Sequence, residues 1–205
     1  MANKNFIAIA GNIGVGKSTL TKKLAEHLKW KAYQEPVAQN PYLEDFYKDM
    51  KKWGFHSQMY FLGKRLKDHY DILQDKRSVV QDRTIYENSE IFARNLHNRG
   101  YINSRDWKVY QQIYKTCTKV LPAPDLVIYL KASVDNIMER IAKRGRDFEK
   151  TIDKKYIKEL NDLYDRWAGR FNDSQVIILS YDDLDLKNNT IDFDSFLKEV
   201  KHYIK

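Results

Sequence analysis

With 205 residues, the chain has enough material for one domain built on one core. Its 42% hydrophobic and 31% charged residues exclude a disordered chain, and a single cysteine, Cys117, excludes an internal disulfide framework. The formal charge of +8 is spread rather than striped: Lys150 to Lys158 mixes basic, acidic and apolar residues, which argues against a nucleic-acid partner.

Met1 to Asn5 runs straight into the apolar stretch Phe6-Ile7-Ala8-Ile9-Ala10. That run is too short for a signal peptide or a membrane span, so a cytoplasmic protein with no membrane partner is expected. It has the continuous hydrophobicity of a parallel strand buried on both faces. A glycine-rich turn follows, then a helical pattern from Lys17 to about Leu28. A second strand is expected from Trp30 to Glu35, stopped by Pro36. Pro41 to about Leu73 reads as two helices broken near Trp53-Gly54. Ser78 to Asp82 reads as the third strand, and helices are expected over Ser89 to Leu96 and Ser104 to Lys119. Leu126 to Leu130 is the fourth strand; two helices then flank Arg144-Gly145-Arg146. A fifth strand, Val176 to Leu179, and a helix from Phe193 to Tyr203 complete the pattern. No linker or repeat divides it. Strands alternating with helices predict an α/β three-layer fold, a five-stranded parallel sheet flanked by helices, as one domain over residues 1–205. A ligand is then expected beyond the carboxyl ends of the strands.

Gly11-Asn12-Ile13-Gly14-Val15-Gly16-Lys17-Ser18 fits G-x-x-x-x-G-K-[ST] between a strand and a helix, with Thr19 next in line. Such a P-loop curls its backbone so that successive N–H groups point at phosphate oxygens, and the following helix adds its positive end. Lys17 is placed to reach the β- and γ-phosphates, and the Ser18 hydroxyl to ligate Mg²⁺ accompanying ATP. There is no Asn-Lys-x-Asp for guanine, which speaks against a GTPase switch.

The acceptor must be read from the other polar positions. Glu35, at the end of the second strand, is a candidate general base for an attacking hydroxyl. Asp82-Arg83-Thr84 closes the third strand: the aspartate can hold magnesium, and the arginine can bind an anionic or hydroxylic substrate group. Arg140, Arg144 and Arg146 crowd a helix end, where they can close over a transferring phosphoryl group; Gly145 permits a moving lid over about 144–152.

In order and spacing, the phosphate loop, Glu35-Pro36-Val37, Trp53 with Gln58, Asp82-Arg83-Thr84, Ile91-Phe92-Ala93 and Arg144-Gly145-Arg146-Asp147-Phe148-Glu149 resemble the deoxyribonucleoside kinases. The nearest group is the deoxycytidine/deoxyguanosine/deoxyadenosine kinases, in particular the bacterial deoxyadenosine kinases. The resemblance implies an ATP-dependent kinase acting on the 5′-hydroxyl of a deoxyribonucleoside, with Glu35 as base. It implies that Gln58 reads the base edge, Phe92 stacks on the base, and Tyr47 and Glu149 hold the 3′-hydroxyl, Tyr47 also crowding a 2′-hydroxyl. Arg83 falls near the 5′-position, Asp82 toward magnesium, and Arg140, Arg144 and Arg146 are the lid arginines. A homodimer formed through helices is also implied.

Three positions depart from the pattern. Asp82 stands where many animal members have glutamate. Arg65 matches a base-reading arginine, yet Asn88 falls where its aspartate partner is usual. The loop over Tyr181 to Leu186, expected to hold the ATP adenine, matches loosely. Arg65 with Gln58 favours a purine or cytosine, and deoxyadenosine foremost. Two other readings stay open: a monophosphate kinase of thymidylate kinase type, against which Gln34 and Val37 flanking Glu35-Pro36 count, and a non-catalytic P-loop nucleotide- or nucleic-acid-binding protein.

Overall fold

The apolar runs form five strands in the computed structural model of the chain, which describes residues 4–34, 39–182 and 190–204. They are β1 (Phe6–Gly11), β2 (Lys31–Tyr33), β3 (Val79–Asp82), β4 (Leu126–Lys131) and β5 (Gln175–Ser180). One sheet holds them in the order β2-β3-β1-β4-β5, and every pairing is parallel. β1 is buried at every position and lies centrally, so its run carries no polar alternation. The registers align Ile9 with Asp82 and Gly11 with Leu130. The carboxyl ends of β1 and β3 therefore open side by side, and the functional residues gather there.

Helices flank the sheet. α1 (Lys17–Leu28) ends where Lys29 takes a left-handed conformation, φ 57°, and the Trp30 N–H turns back to Ala25 O at 2.9 Å. That closure uses Trp30, so β2 begins at Lys31, later than the pattern suggested, and it ends at Tyr33. Glu35, expected at the strand's end, lies outside the described residues.

α2 (Leu43–Lys48) and α3 (Met50–Gln74) are separated at Asp49, not at Trp53-Gly54. The Asp49 carboxylate accepts the Lys52 N–H at 3.0 Å and caps α3, which makes the break local to that side chain. Gly54 instead sits inside α3, where an added Cβ would lie 3.3 Å from the Leu96 side chain.

The helix expected over Ser89 to Leu96 starts earlier and changes pitch. α4 (Ile85–Glu87) passes into a π-helical segment, Asn88–Ala93, and then α5 (Arg94–Asn98). α6 (Ser104–Val120) follows, with both Arg105 and Asp106 N–H groups capped by Asn103. α7 (Val134–Arg144) stops at Gly145, φ 67°, and a 3₁₀ turn, Asp147–Glu149, leads to α8 (Lys154–Ala168). α9 (Thr190–Tyr203) seals the core with Phe193, Phe196 and Val200. Among the described residues, no helix is long and apolar enough to cross a membrane.

Candidate active site

Glycine backbone shapes the phosphate loop. Gly16 has φ 112°, and a Cβ there would meet the Tyr181 ring at 2.8 Å; Gly14 has φ 78°, and its Cβ would meet Ile141 at 2.7 Å. Only glycine fits both the backbone and the space at these positions. Behind the loop, Asn12 Nδ2 donates to Asn161 Oδ1 at 2.7 Å and to Ile157 O at 2.9 Å, tying the loop to α8. Lys17, 6% exposed, donates from Nζ to Asn12 O at 2.9 Å, so its ammonium is folded over the loop.

Ser18 and Asp82, each expected on the magnesium side, lie against one another. The Ser18 hydroxyl donates to Asp82 Oδ2 at 2.5 Å. Asp82 is fully buried, and its other oxygen, Oδ1, has no hydrogen-bond partner among the described residues. An orphaned buried carboxylate oxygen beside a hydroxyl is a hard-oxygen donor set that suits a divalent cation such as magnesium. The residues present fit the ion.

A cavity of about 270 Å³ opens in front of this pair. From the loop it is lined by Ile13, Gly14, Gly16, Lys17, Ser18 and Thr19. Its opposite wall takes Tyr47 from α2, Gln58 from α3, Arg83 from the end of β3, Asn88 and Phe92 from the π-helical segment, and Arg144, Arg146 and Glu149 from the lid. Leu43, Phe46, Phe61 and Tyr156 complete the lining, and sequence reasoning singled out none of them for it. Tyr156 and Phe61 sit among 14 Tyr and 9 Phe, so composition hides them.

Within that wall, the Gln58 and Asn88 side chains are buried, and Gln58 Oε1 and Asn88 Oδ1 lack partners among the described residues. Arg83 adopts φ 64°, a left-handed conformation rare for a side-chain-bearing residue. Its guanidinium stands over the Phe92 ring at 4.3 Å. Next to it, Glu87 is fully buried; burial pushes its pKa up, while the Arg83 and Lys17 charges act the other way.

Two expected residues are placed elsewhere. Arg65, 1% exposed, does not line the cavity; its Nη1 lies 3.6 Å from Asp68 Oδ2, one turn further along α3. Arg140 donates to Val15 O and to Tyr181 O, both at 2.9 Å, with its guanidinium over the Tyr181 ring, so it braces the outer side of the phosphate loop.

The lid is held by charge. Glu149 is 3% exposed and receives a two-pronged contact from Arg144, Nε to Oε2 at 3.0 Å and Nη2 to Oε1 at 2.7 Å, with Arg146 Nη1 at 3.5 Å from Oε1. Phe148 stacks on Tyr47 with centroids 5.8 Å apart, which seats the lid against α2. The arginines and the glutamate are thus one cluster at the cavity mouth.

Comparison with known proteins gives a consistent result. The family model described as "Deoxynucleoside kinase" matches residues 7–205. A deoxyadenosine/deoxycytidine kinase of Bacillus subtilis is 39% identical over 98% of this chain and 93% of its own. A deoxyadenosine kinase of Lactobacillus acidophilus is 36% identical over 97% of this chain and 96% of its own. Among solved structures, the deoxyadenosine kinase from M. mycoides with bound dATP superposes with a TM-score of 0.84 at 30% identity, covering 96% and 99% of the two chains. The chain belongs to the deoxynucleoside kinase family and is an ATP-dependent kinase.

Proposed function

We propose that the chain transfers the γ-phosphoryl group of ATP to the 5′-hydroxyl of a deoxyribonucleoside, deoxyadenosine first, with deoxycytidine and deoxyguanosine as further substrates. The observation that carries this reading is one cavity shared by a phosphate loop and a wall able to bind a nucleoside. In the step, the O5′–P bond forms, the bond to the β,γ-bridging oxygen breaks and ADP leaves; the hydroxyl proton passes to Glu35. Glu35 directly follows Gln34, whose amide reaches Ser18 O at 3.5 Å.

Lys17 holds the β- and γ-phosphates. Arg83 faces the 5′-position, and Arg144 and Arg146 neutralise charge on the transferring group. Arg140 acts from behind by fixing the loop at Val15. Magnesium held by Ser18 and Asp82, when bound, neutralises phosphate charge. Tyr47 and Glu149 take the 3′-hydroxyl, and Tyr47 leaves little room for a 2′-hydroxyl.

The base lies against Phe92, its edge toward Gln58 and Asn88. A carboxamide offers a carbonyl oxygen and an NH₂ side by side, which matches the amine and adjacent ring nitrogen of adenine or cytosine. Arg65, which pairs with Asp68 at 3.6 Å and does not line the cavity, leaves the direct base contact to Gln58 and Asn88. Turned over, the same carboxamide meets the oxo group and ring N–H of guanine, which keeps deoxyguanosine among the substrates. The relatives named for deoxyadenosine support placing it first.

The enzyme works in the cytoplasm as a homodimer. On α6, Val109, Ile113 and Val120 are exposed at spacings that share one helical face, and Tyr70 and Leu73 are exposed on the neighbouring α3. A second copy covers that stripe, which light scattering on the purified protein tests directly. The chemistry is tested with Mg-ATP and each of the four common deoxynucleosides, following ADP and 5′-monophosphate. Fastest turnover with deoxyadenosine is expected. Phosphorylation of deoxythymidine monophosphate in place of any nucleoside would overturn the reading.

A further inference from the structure

We infer that Glu87 is a positioning residue for phosphoryl transfer: it fixes the Arg83 guanidinium against the phosphate loop, where the acceptor hydroxyl must be met. Glu87 is 0% exposed and does not line the cavity, so it touches no substrate. Its carboxylate gathers donors from three separate segments. Oε1 accepts the Gly11 N–H at 3.2 Å, at the root of the phosphate loop, and the Tyr164 hydroxyl of α8 at 2.9 Å. Oε2 accepts the Thr84 N–H at 2.9 Å, and the Arg83 Nε lies 4.0 Å from Oε1.

The Gly11 and Thr84 N–H groups can only donate, one to each oxygen, so both oxygens of the side chain must accept. A glutamine would have to turn its NH₂ toward a donor on one side or the other. Burying a charge is costly unless it is fully paired, so a buried carboxylate here calls for a reason beyond stability.

Arg83 supplies the reason. The residue leaves β3 with φ 64°, a strained conformation for a side-chain-bearing residue that persists only where the surroundings impose it. The left-handed turn folds its guanidinium back over Gly11, with Nη2 3.4 Å from Gly11 O, and against the face of the Phe92 ring at 4.3 Å. Glu87 accepts the N–H of Gly11, the residue whose carbonyl meets the guanidinium, and the N–H of Thr84, the peptide next to the strained residue. The phosphate loop and the backbone that carries Arg83 are thereby tied to one carboxylate, and the guanidinium itself stands in a longer ion pair with it, 4.0 Å from Nε.

The inference rests on Arg83 serving the 5′-position, and a mutant cycle separates the two ideas. Turnover with the preferred deoxynucleoside is measured for wild type, Glu87→Gln, Arg83→Ala and the double variant, with thermal midpoints alongside. Glu87→Gln is expected to lower kcat by roughly 30- to 100-fold, the scale of a small misplacement of a reacting group. Its KM for nucleoside and for ATP should stay within about threefold of wild type. The double variant should fall no more than about threefold below Arg83→Ala, because the two residues act as a unit. Tyr164→Phe removes a donor from the same carboxylate but leaves its charge and its grip on Arg83; its midpoint should fall while kcat stays within about threefold.

Fully additive losses in the cycle would overturn the inference, as would a kcat in Glu87→Gln within about twofold of wild type. A loss in Tyr164→Phe equal to that in Glu87→Gln would assign both to general damage and would also overturn it. Near-normal turnover in Arg83→Ala would instead remove the reading of Arg83, and the inference with it. If Glu87→Gln yields no folded protein, Glu87→Asp, which keeps the charge and withdraws it by one methylene, carries the same cycle.

Discussion

The two ends of the cavity are made in different ways. The phosphate end is one contiguous stretch, Gly11 to Ser18, shaped by backbone and buttressed from behind by Asn12 against α8 and by Arg140 on Val15 O. The acceptor end has no such stretch. Tyr47, Gln58, Arg83, Asn88, Phe92 and Glu149 come from α2, α3, the β3 terminus, the π-helical segment and the lid, and they meet only in the folded chain. Phosphate is the same in every nucleotide, so a fixed backbone cradle suits it. A nucleoside differs from its relatives by one amine or one hydroxyl, and side chains must tell these apart. Changes at the phosphate end should therefore cost rate whatever the nucleoside, and changes at the acceptor end should cost selectively.

Lys17→Ala tests the first half most sharply. The ammonium lies folded onto Asn12 O, in a loop whose shape is set by glycine backbone, so its removal should leave the fold intact. Losing a preorganised charge at a phosphoryl group is expected to lower kcat by about 10³-fold, equally for deoxyadenosine and deoxycytidine. Unequal losses between the two nucleosides would break the comparison.

Gly16→Ala asks whether the cradle is truly a backbone device. A methyl group there must displace the Tyr181 ring from 2.8 Å and hold φ 112°. The cost should be on the order of 1–3 kcal/mol in stability, read from chemical denaturation. KM for ATP should rise while the KM for deoxyadenosine, measured at saturating ATP, stays near wild type. A rise in the nucleoside KM alone would show that the two ends are not independent.

Glu149→Ala makes the converse test at the acceptor end. If Glu149 holds the 3′-hydroxyl, its loss removes one charged hydrogen bond, about 1.5–3 kcal/mol, and raises the nucleoside KM about tenfold or more. A 3′-deoxy analogue never made that bond and should be affected much less. Equal penalties for both would assign the residue to the Arg144–Arg146 cluster alone.

The same contrast decides what could be read from sequence. β1, β3, β4 and the phosphate loop were legible because their signals are local: unbroken apolar runs, and glycines at fixed offsets before a lysine. The break at Asp49 was missed because one capping carboxylate carries less signal than a Trp-Gly pair, yet it decides the helix start. Glu87 was passed over because a glutamate in Ile85-Tyr86-Glu87-Asn88 reads as a solvated helix residue until Gly11, Thr84 and Tyr164 are folded around it. Arg65 and Asp68 stand at i and i+3, a spacing that was visible, but sequence alone could not say that this pair would form outside the cavity. Tertiary placement, rather than residue type, was the missing information in each case.

A control far from both ends should change stability and nothing else. Asp75, just beyond α3, accepts from Arg77 Nε at 3.1 Å and from Lys31 Nζ at 2.7 Å, and these partners, Arg77 foremost, hold its carboxyl well below the usual carboxylate range. A carboxylate whose folded pKa is depressed adds stability that is fully present above its unfolded pKa, near 4, and is lost as pH falls toward the folded value. Asp75→Asn should therefore lower the thermal midpoint at pH 7 by a few degrees at most, the scale of a solvent-screened pair. The gap to wild type should be flat from about pH 7 to 5 and shrink only below about pH 4. Both KM values should be unchanged. A gap that narrows already near neutral pH would mean that another group responds to the substitution. A shifted KM would mean that the edge of the sheet at β2 communicates with the phosphate loop.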